Sequence, residues 1–259
     1  MKAVTNFFGG FGRTVLHVIE KMGDATMYGV STVALFFVPP WQGQHFIRQM
    51  YALGVGSMVI IIITGAFTGM VLALQGYHML VKVGTESLLG PAVALSIIRE
   101  LGPVLAALMF VGRAGSSITA EIGIMRVTEQ MDSLEMMAVN PRSRVLLTRI
   151  IASALSLPLL VAIFDVVGLF AGYVIGVEML GVNGGVYMGE TIDKIDMVDI
   201  SVGVTKSIYF GFLIGVICTF MGYRATATTE GVAKATTQAV MICSVMVLIL
   251  DYIITSFYL

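Results

Sequence analysis

Between Arg48 and Lys82 the chain carries no Asp, Glu, Lys or Arg. A helix needs roughly 20 apolar residues to cross a bilayer, so this run reads as a transmembrane helix. It is centred on Met58 to Leu74. Four further runs repeat the pattern. They cover about Leu89 to Gly112, interrupted by Arg99-Glu100; Ile150 to Val177, with Asp165 inside; Ser207 to Tyr223; and Ala235 to Tyr258, with Asp251 inside. Of 259 residues 57% are hydrophobic and 12% charged, whereas a soluble domain is nearer a quarter charged. The expected fold is all-α, a polytopic membrane protein of about five transmembrane helices.

The chain ahead of the first span differs. Residues 1–24 mix Lys2, Arg13, Glu20, Lys21 and Asp24 with Phe7, Phe8, Phe11, Val15, Val18 and Ile19, as in a helix lying at a membrane surface. They lack the long apolar run and small-residue cleavage site of a secretory signal. Ala25 to Val38 is short for a span and ends at Pro39-Pro40-Trp41, so it reads as interfacial or re-entrant, with a true crossing as the alternative. The chain thus divides into an N-terminal interfacial or elbow segment, 1–48, and a transmembrane domain, 49–259.

Five spans put the termini on opposite sides. With the N-terminus cytoplasmic, that side holds Lys2, Arg13, Lys21, Arg48, Arg113, Arg126, Arg142, Arg144, Arg149, Arg224 and Lys234; the other holds Lys82, Lys194 and Lys206. The positive-inside rule selects this orientation. It leaves an acidic loop outside, about 178–206, with Glu190, Asp193, Asp196 and Asp199. Small residues at four-residue spacing (Gly65, Gly69; Gly168, Gly172, Gly176; Ser207, Gly211, Gly215) let helices pack closely, within the bundle or across a dimer face.

No phosphate loop of the G-x-x-x-x-G-K-[ST] kind and no dinucleotide fingerprint is present, so ATP chemistry is not expected in this chain. His17, His45 and His78 lack metal-ligand spacing, and no Ser or Cys has an evident base partner. Cys218 and Cys243 sit in apolar runs and read as small hydrophobes. No catalytic residue, metal, cofactor or nucleic-acid partner is expected.

Two stretches carry function. Arg99-Glu100 places two charges near mid-bilayer, where one charge costs at least ~2.5 kcal/mol and defaults to a functional reading. Adjacent helical residues point about 100° apart, so the two should pair with other helices, waters or a ligand. Gly102-Pro103 frees a backbone carbonyl directly after them. Asp165 and Asp251 are possible partners for Arg99, and a buried structural ion pair is the alternative to a ligand site. The second stretch is Ile124 to Ala138, where Ile124, Val127, Met131, Leu134 and Ala138 form a 3-4-3-4 apolar face among Arg126, Glu129, Asp132 and Glu135. It predicts one amphipathic helix outside the membrane, stopped by Asn140-Pro141.

The residues RELGPVLAALMFVGRAGSSITAEIGIMRVTEQMDSLEMMAVNP, with TTEGVAKATTQAV later, resemble the MlaE (YrbE-like) family, permease subunits of the bacterial Mla phospholipid ABC transporter. The resemblance covers roughly Tyr51 to Tyr258. It implies an inner-membrane homodimer with a periplasmic C-terminus, bound to two ATPase subunits that carry ATP and Mg, a STAS-domain protein and a hexameric periplasmic MCE-domain ring. It maps a coupling helix onto about 124–138, with Ile124, Val127, Glu129, Met131, Asp132 and Leu134 at the ATPase contact. It maps a lipid cavity at the dimer interface onto Leu72, Leu80, Arg99 and Glu100, with Val83 standing where a pocket aromatic is expected. The rival reading is an ion-coupled secondary transporter using Arg99, Glu100, Asp165 and Asp251 as a relay. Five spans cannot form the paired inverted halves common in that class.

Overall fold

The computed structural model describes residues 23, 27–29 and 43–258. The interfacial reading of 1–24 and the question of whether 25–38 spans fall almost entirely outside them. Among the described residues, five long helices are apolar enough to cross a membrane: α1 (Gly43–Val81), α2 (Glu86–Val127), α4 (Arg142–Met179), α6 (Met197–Tyr223) and α7 (Thr229–Tyr258). Two short helices cap opposite ends of this bundle, α3 (Gln130–Met136) between α2 and α4, and α5 (Gly184–Lys194) between α4 and α6. No strand occurs among the described residues, so the chain is an all-α polytopic membrane protein.

The small residues set how closely the helices approach. A Cβ on Gly69 of α1 would land on the Gly168 carbonyl of α4, and one on Gly65 would lie 3.0 Å from the Phe164 carbonyl. A Cβ on Gly211 of α6 would meet the Ser153 carbonyl of α4 at 2.6 Å, while Ser153 Oγ donates to the Gly211 carbonyl at 2.9 Å. These ladders therefore serve packing inside one chain, with α4 held between α1 and α6. Phe110, Phe164 and Phe210, from α2, α4 and α6, are fully buried between them. Cys218 and Cys243 are buried free thiols whose Sγ atoms lie 3.7 Å apart where α6 meets α7.

Two expectations need correction. The acidic stretch 178–206 is not a loop: Asn183 Oδ1 accepts the Gly185 and Val186 N–H groups and starts α5, and the fourth span begins at Met197, well before Ser207. Nor is Ile124 to Ala138 one helix. α2 runs unbroken from the membrane to Val127; Glu129 then turns left-handed, with φ 54°, and α3 starts at Gln130. Ala138, with φ 59°, lies beyond α3. Val127 and Met131 are four residues apart, so the apolar spacing continues across the break even though the helix axis does not.

Candidate functional site

α2 is not a regular helix. It carries π turns at Ile97–Leu101 and Val111–Gly115. Pro103 cannot donate to the Arg99 carbonyl one turn back, so the break predicted at Gly102-Pro103 leaves an acceptor open. Lys206 of α6 fills it, its Nζ donating to the Arg99 carbonyl at 2.9 Å. α6 can come this near because Gly203 faces the π turn, where a Cβ would sit 2.6 Å from the Ile98 carbonyl.

The same ammonium collects the acids. Lys206 is 0% exposed and donates to Glu100 Oε2 at 2.8 Å; its ion pair with Asp251 Oδ1 of α7 spans 2.9 Å, outside hydrogen-bond geometry. Thr255 Oγ1 of α7 donates to Glu100 Oε1 at 3.2 Å. Arg99 turns the other way: Nε and Nη2 both reach Asp199 Oδ1, at 2.6 and 2.5 Å. Asp199 is 2% exposed, and its second oxygen accepts the Asp196 N–H at 3.0 Å, tying the pair to the start of α6. Three helices are thus joined by charges that hydrocarbon would otherwise expel, each offset by an opposite charge and fixed dipoles.

Lys206 and Asp199 are closed inside the bundle, but the Arg99 and Glu100 side chains are 49% and 41% exposed. Arg99 spends one edge of its fork on Asp199, and its remaining N–H groups have no partner among the described residues. A planar cation with free donors on the open side of a buried network suits a phosphate.

Of the residues expected here, Glu100 and Asp251 meet at Lys206, while Arg99 pairs with Asp199 rather than with Asp251 or Asp165 as expected. Asp165 does not join them: its Oδ1 is buried without a hydrogen bond, close against Gly102. Leu72 and Leu80 are half-buried on α1, packed against this chain's own core rather than within the ion network. Val83, beyond the end of α1, is 74% exposed. The partners missed by the sequence reading are Asp199, Lys206 and Thr255. The charge count places Lys206 on the outer side as a loop residue; it is instead the fully buried centre of the network. The signal for it was Asp196-x-x-Asp199 ahead of an apolar run, an acidic variant of the helix-start pattern. It moves the span start to Met197 and carries Lys206 inside.

The opposite end is arranged differently. Met131 is 1% exposed and is buried in this chain's own core, so within α3 it anchors the helix; Leu134 is half-buried beside it. Glu129 and Asp132 are exposed, as is Ile124 at 54%, while Val127 is half-buried. Arg113 donates to the Ala52 carbonyl of α1 at 2.7 Å, over Gly56, where a Cβ would collide with the guanidinium. Arg149, 7% exposed, holds Glu121 at 2.9 Å. Arg126 and Arg142 each stack on the Tyr223 ring, 5.3 and 5.8 Å from its centroid.

Comparison with known proteins places this architecture. The family model described as Permease MlaE matches residues 46–257. The chain belongs to the MlaE permease family. It is 41% identical, over 98% of its length and 97% of the relative's, to the intermembrane phospholipid transport system permease protein MlaE of Haemophilus influenzae. A probable ABC transporter permease protein of Rickettsia felis is 36% identical over 98% of both chains. More distantly, it is 31% identical to the chloroplastic TRIGALACTOSYLDIACYLGLYCEROL 1 protein of Arabidopsis thaliana, over 83% of this chain and 61% of that one. The ion network and α3 both lie inside the stretch matched by the MlaE permease model.

Proposed function

We propose that this chain is the permease subunit of an ABC transporter that moves glycerophospholipid between the inner membrane and a periplasmic lipid carrier, maintaining outer-membrane lipid asymmetry. The observation that carries this reading is its end-to-end likeness to a permease named for intermembrane phospholipid transport. The half-exposed Arg99, fixed on one edge by Asp199 and open on the other, supports a phosphate-binding role for Arg99 and Glu100, with Leu72 and Leu80 on the apolar wall. The ion-coupled alternative is not favoured: the relatives are ABC permeases, and Asp165 stands apart from the proposed relay.

The chain itself is a transport subunit without catalytic chemistry. ATP and Mg belong on partner ATPases, which engage the α2–α3 junction through the exposed Glu129 and Asp132, with Ile124, Val127 and Leu134 shaping the contact. Five helices make a small bundle with two charged side chains half-open, which supports a path formed between two copies. A STAS-domain protein and a hexameric periplasmic MCE-domain ring complete the assembly by family resemblance. The α3 end lies in the cytoplasm and the α5 end, with the C-terminus, in the periplasm; the excess of arginine at the α3 end supports this orientation.

The test is transfer of labelled phospholipid from proteoliposomes holding this chain and its ATPase to an acceptor carrier. Transfer should require ATP and survive collapse of the proton gradient. Transfer that persists without ATP and stops when the gradient collapses would overturn the reading.

A further inference from the structure

A cleft of about 400 Å³ lies behind α3, walled by the start of α1 and the start of α4. Its charge is of one sign: Arg144 and Arg149 line it beside His45, and among the described residues no Asp or Glu does. Met131, Leu134 and Met137 supply an apolar side. Arg149 is the informative member. Its side chain is 7% exposed, its Nη2 holds Glu121 Oε2 at 2.9 Å, and its Nη1 reaches the Val145 carbonyl at 3.4 Å. Its Nε–H is buried without a hydrogen-bond partner among the described residues. A buried donor left unmade is costly, more so on a charged group, so an acceptor is owed at this side chain.

We propose that this cleft is a second ligand site, which takes the phosphate of an anionic amphiphile on Arg144 and Arg149 and its adjoining methylenes on the methionine wall. The volume is in the range of small-ligand pockets, and methionine adapts to flexible apolar groups. The cleft sits where α1, α2 and α4 end, the level at which headgroups of that leaflet lie, and an arginine fork matches a phosphate oxygen pair. It is distinct from the Arg99 network: Glu121, the partner of Arg149, is 22 positions further along α2 than Arg99, about 33 Å at helical rise. Because its walls come from α1, α2, α3 and α4, an occupant braces α3 against the spans. A phospholipid headgroup and free phosphate share the required chemistry.

The test uses the full chain in phosphatidylcholine nanodiscs, titrated separately with short-chain phosphatidylglycerol and with inorganic phosphate, reading hydrogen exchange over 130–136. Phosphatidylglycerol should slow exchange there. Arg144→Gln, at an exposed position that folding tolerates, should weaken the effect about tenfold, the loss of one charge-assisted contact. Thr148→Phe, which fills the cleft without changing its charge, should weaken it as well. Protection by phosphatidylglycerol alone assigns the site to a lipid headgroup; protection by inorganic phosphate too supports the site with a free-anion source. Protection that both variants leave unchanged, or that appears only with a bound partner protein and with neither anion, overturns the proposal.

Discussion

Lys206 on α6 and Lys234 on α7 each hold a glutamate, at 2.8 and 2.7 Å, but the first side chain is 0% exposed and the second 71%. Lys206 is closed off from water, so Asp251 and the Arg99 carbonyl depend on that one ammonium, while Glu100, 41% exposed, also accepts from Thr255. Around Lys234 water replaces Glu230 at almost no cost. The same pairing is structural at one end of the bundle and incidental at the other. That contrast separates the α3 end, where charges such as Glu129 and Asp132 are exposed, from the network near the α5 end, where the buried Lys206 and Asp199 are paired within the chain.

Lys206→Met should break the network outright. It strands Asp251 and leaves the Arg99 carbonyl open, and removing one partner of a buried pair costs ~3–5 kcal/mol. Denaturant unfolding in detergent measures this, and a loss below about 1 kcal/mol would break the contrast. Gly69→Ala should cost ~1–3 kcal/mol by driving a methyl into the Gly168 carbonyl and parting α1 from α4; the same unfolding assay checks it. Glu129→Gly has the opposite sign. Relief of the left-handed backbone should stabilise the junction by about 1 kcal/mol, while loss of the carboxylate lowers stimulation of the ATPase. Unchanged ATPase stimulation would remove Glu129 from the docking surface. Lys234→Ala should shift stability by less than about 0.5 kcal/mol, the scale of an exposed pair.

The spans were legible because long charge-free runs have few other fates, and Arg99-Glu100 stood out because charges are rare inside such runs. Their partners were harder to see. Lys206 lies nine residues inside α6, and placing the span start at Ser207 instead of Met197 turns a buried cation into a loop residue. Asp199 looked like one of several loop acids until the start of α6 put it on the inner face. The break at Thr128-Glu129 was invisible to periodicity, since Val127 to Met131 keeps helical spacing while the backbone between them turns left-handed. The cleft behind α3 could not be read at all, because it exists only where the beginnings of α1 and α4 meet a helix from between them.

The central claim is that Arg99 holds a lipid phosphate rather than merely closing a salt bridge. The direct measurement is phospholipid bound per complex, by quantitative mass spectrometry, in Arg99→Gln combined with Asp199→Asn. Neutralising both partners leaves no charge stranded, so unfolding stability should return to within about 1 kcal/mol of wild type. With stability restored, bound phospholipid and ATP-driven transfer should remain low. A double variant that is stable, carries wild-type phospholipid and transfers it at the wild-type rate would reduce Arg99 and Asp199 to a structural pair.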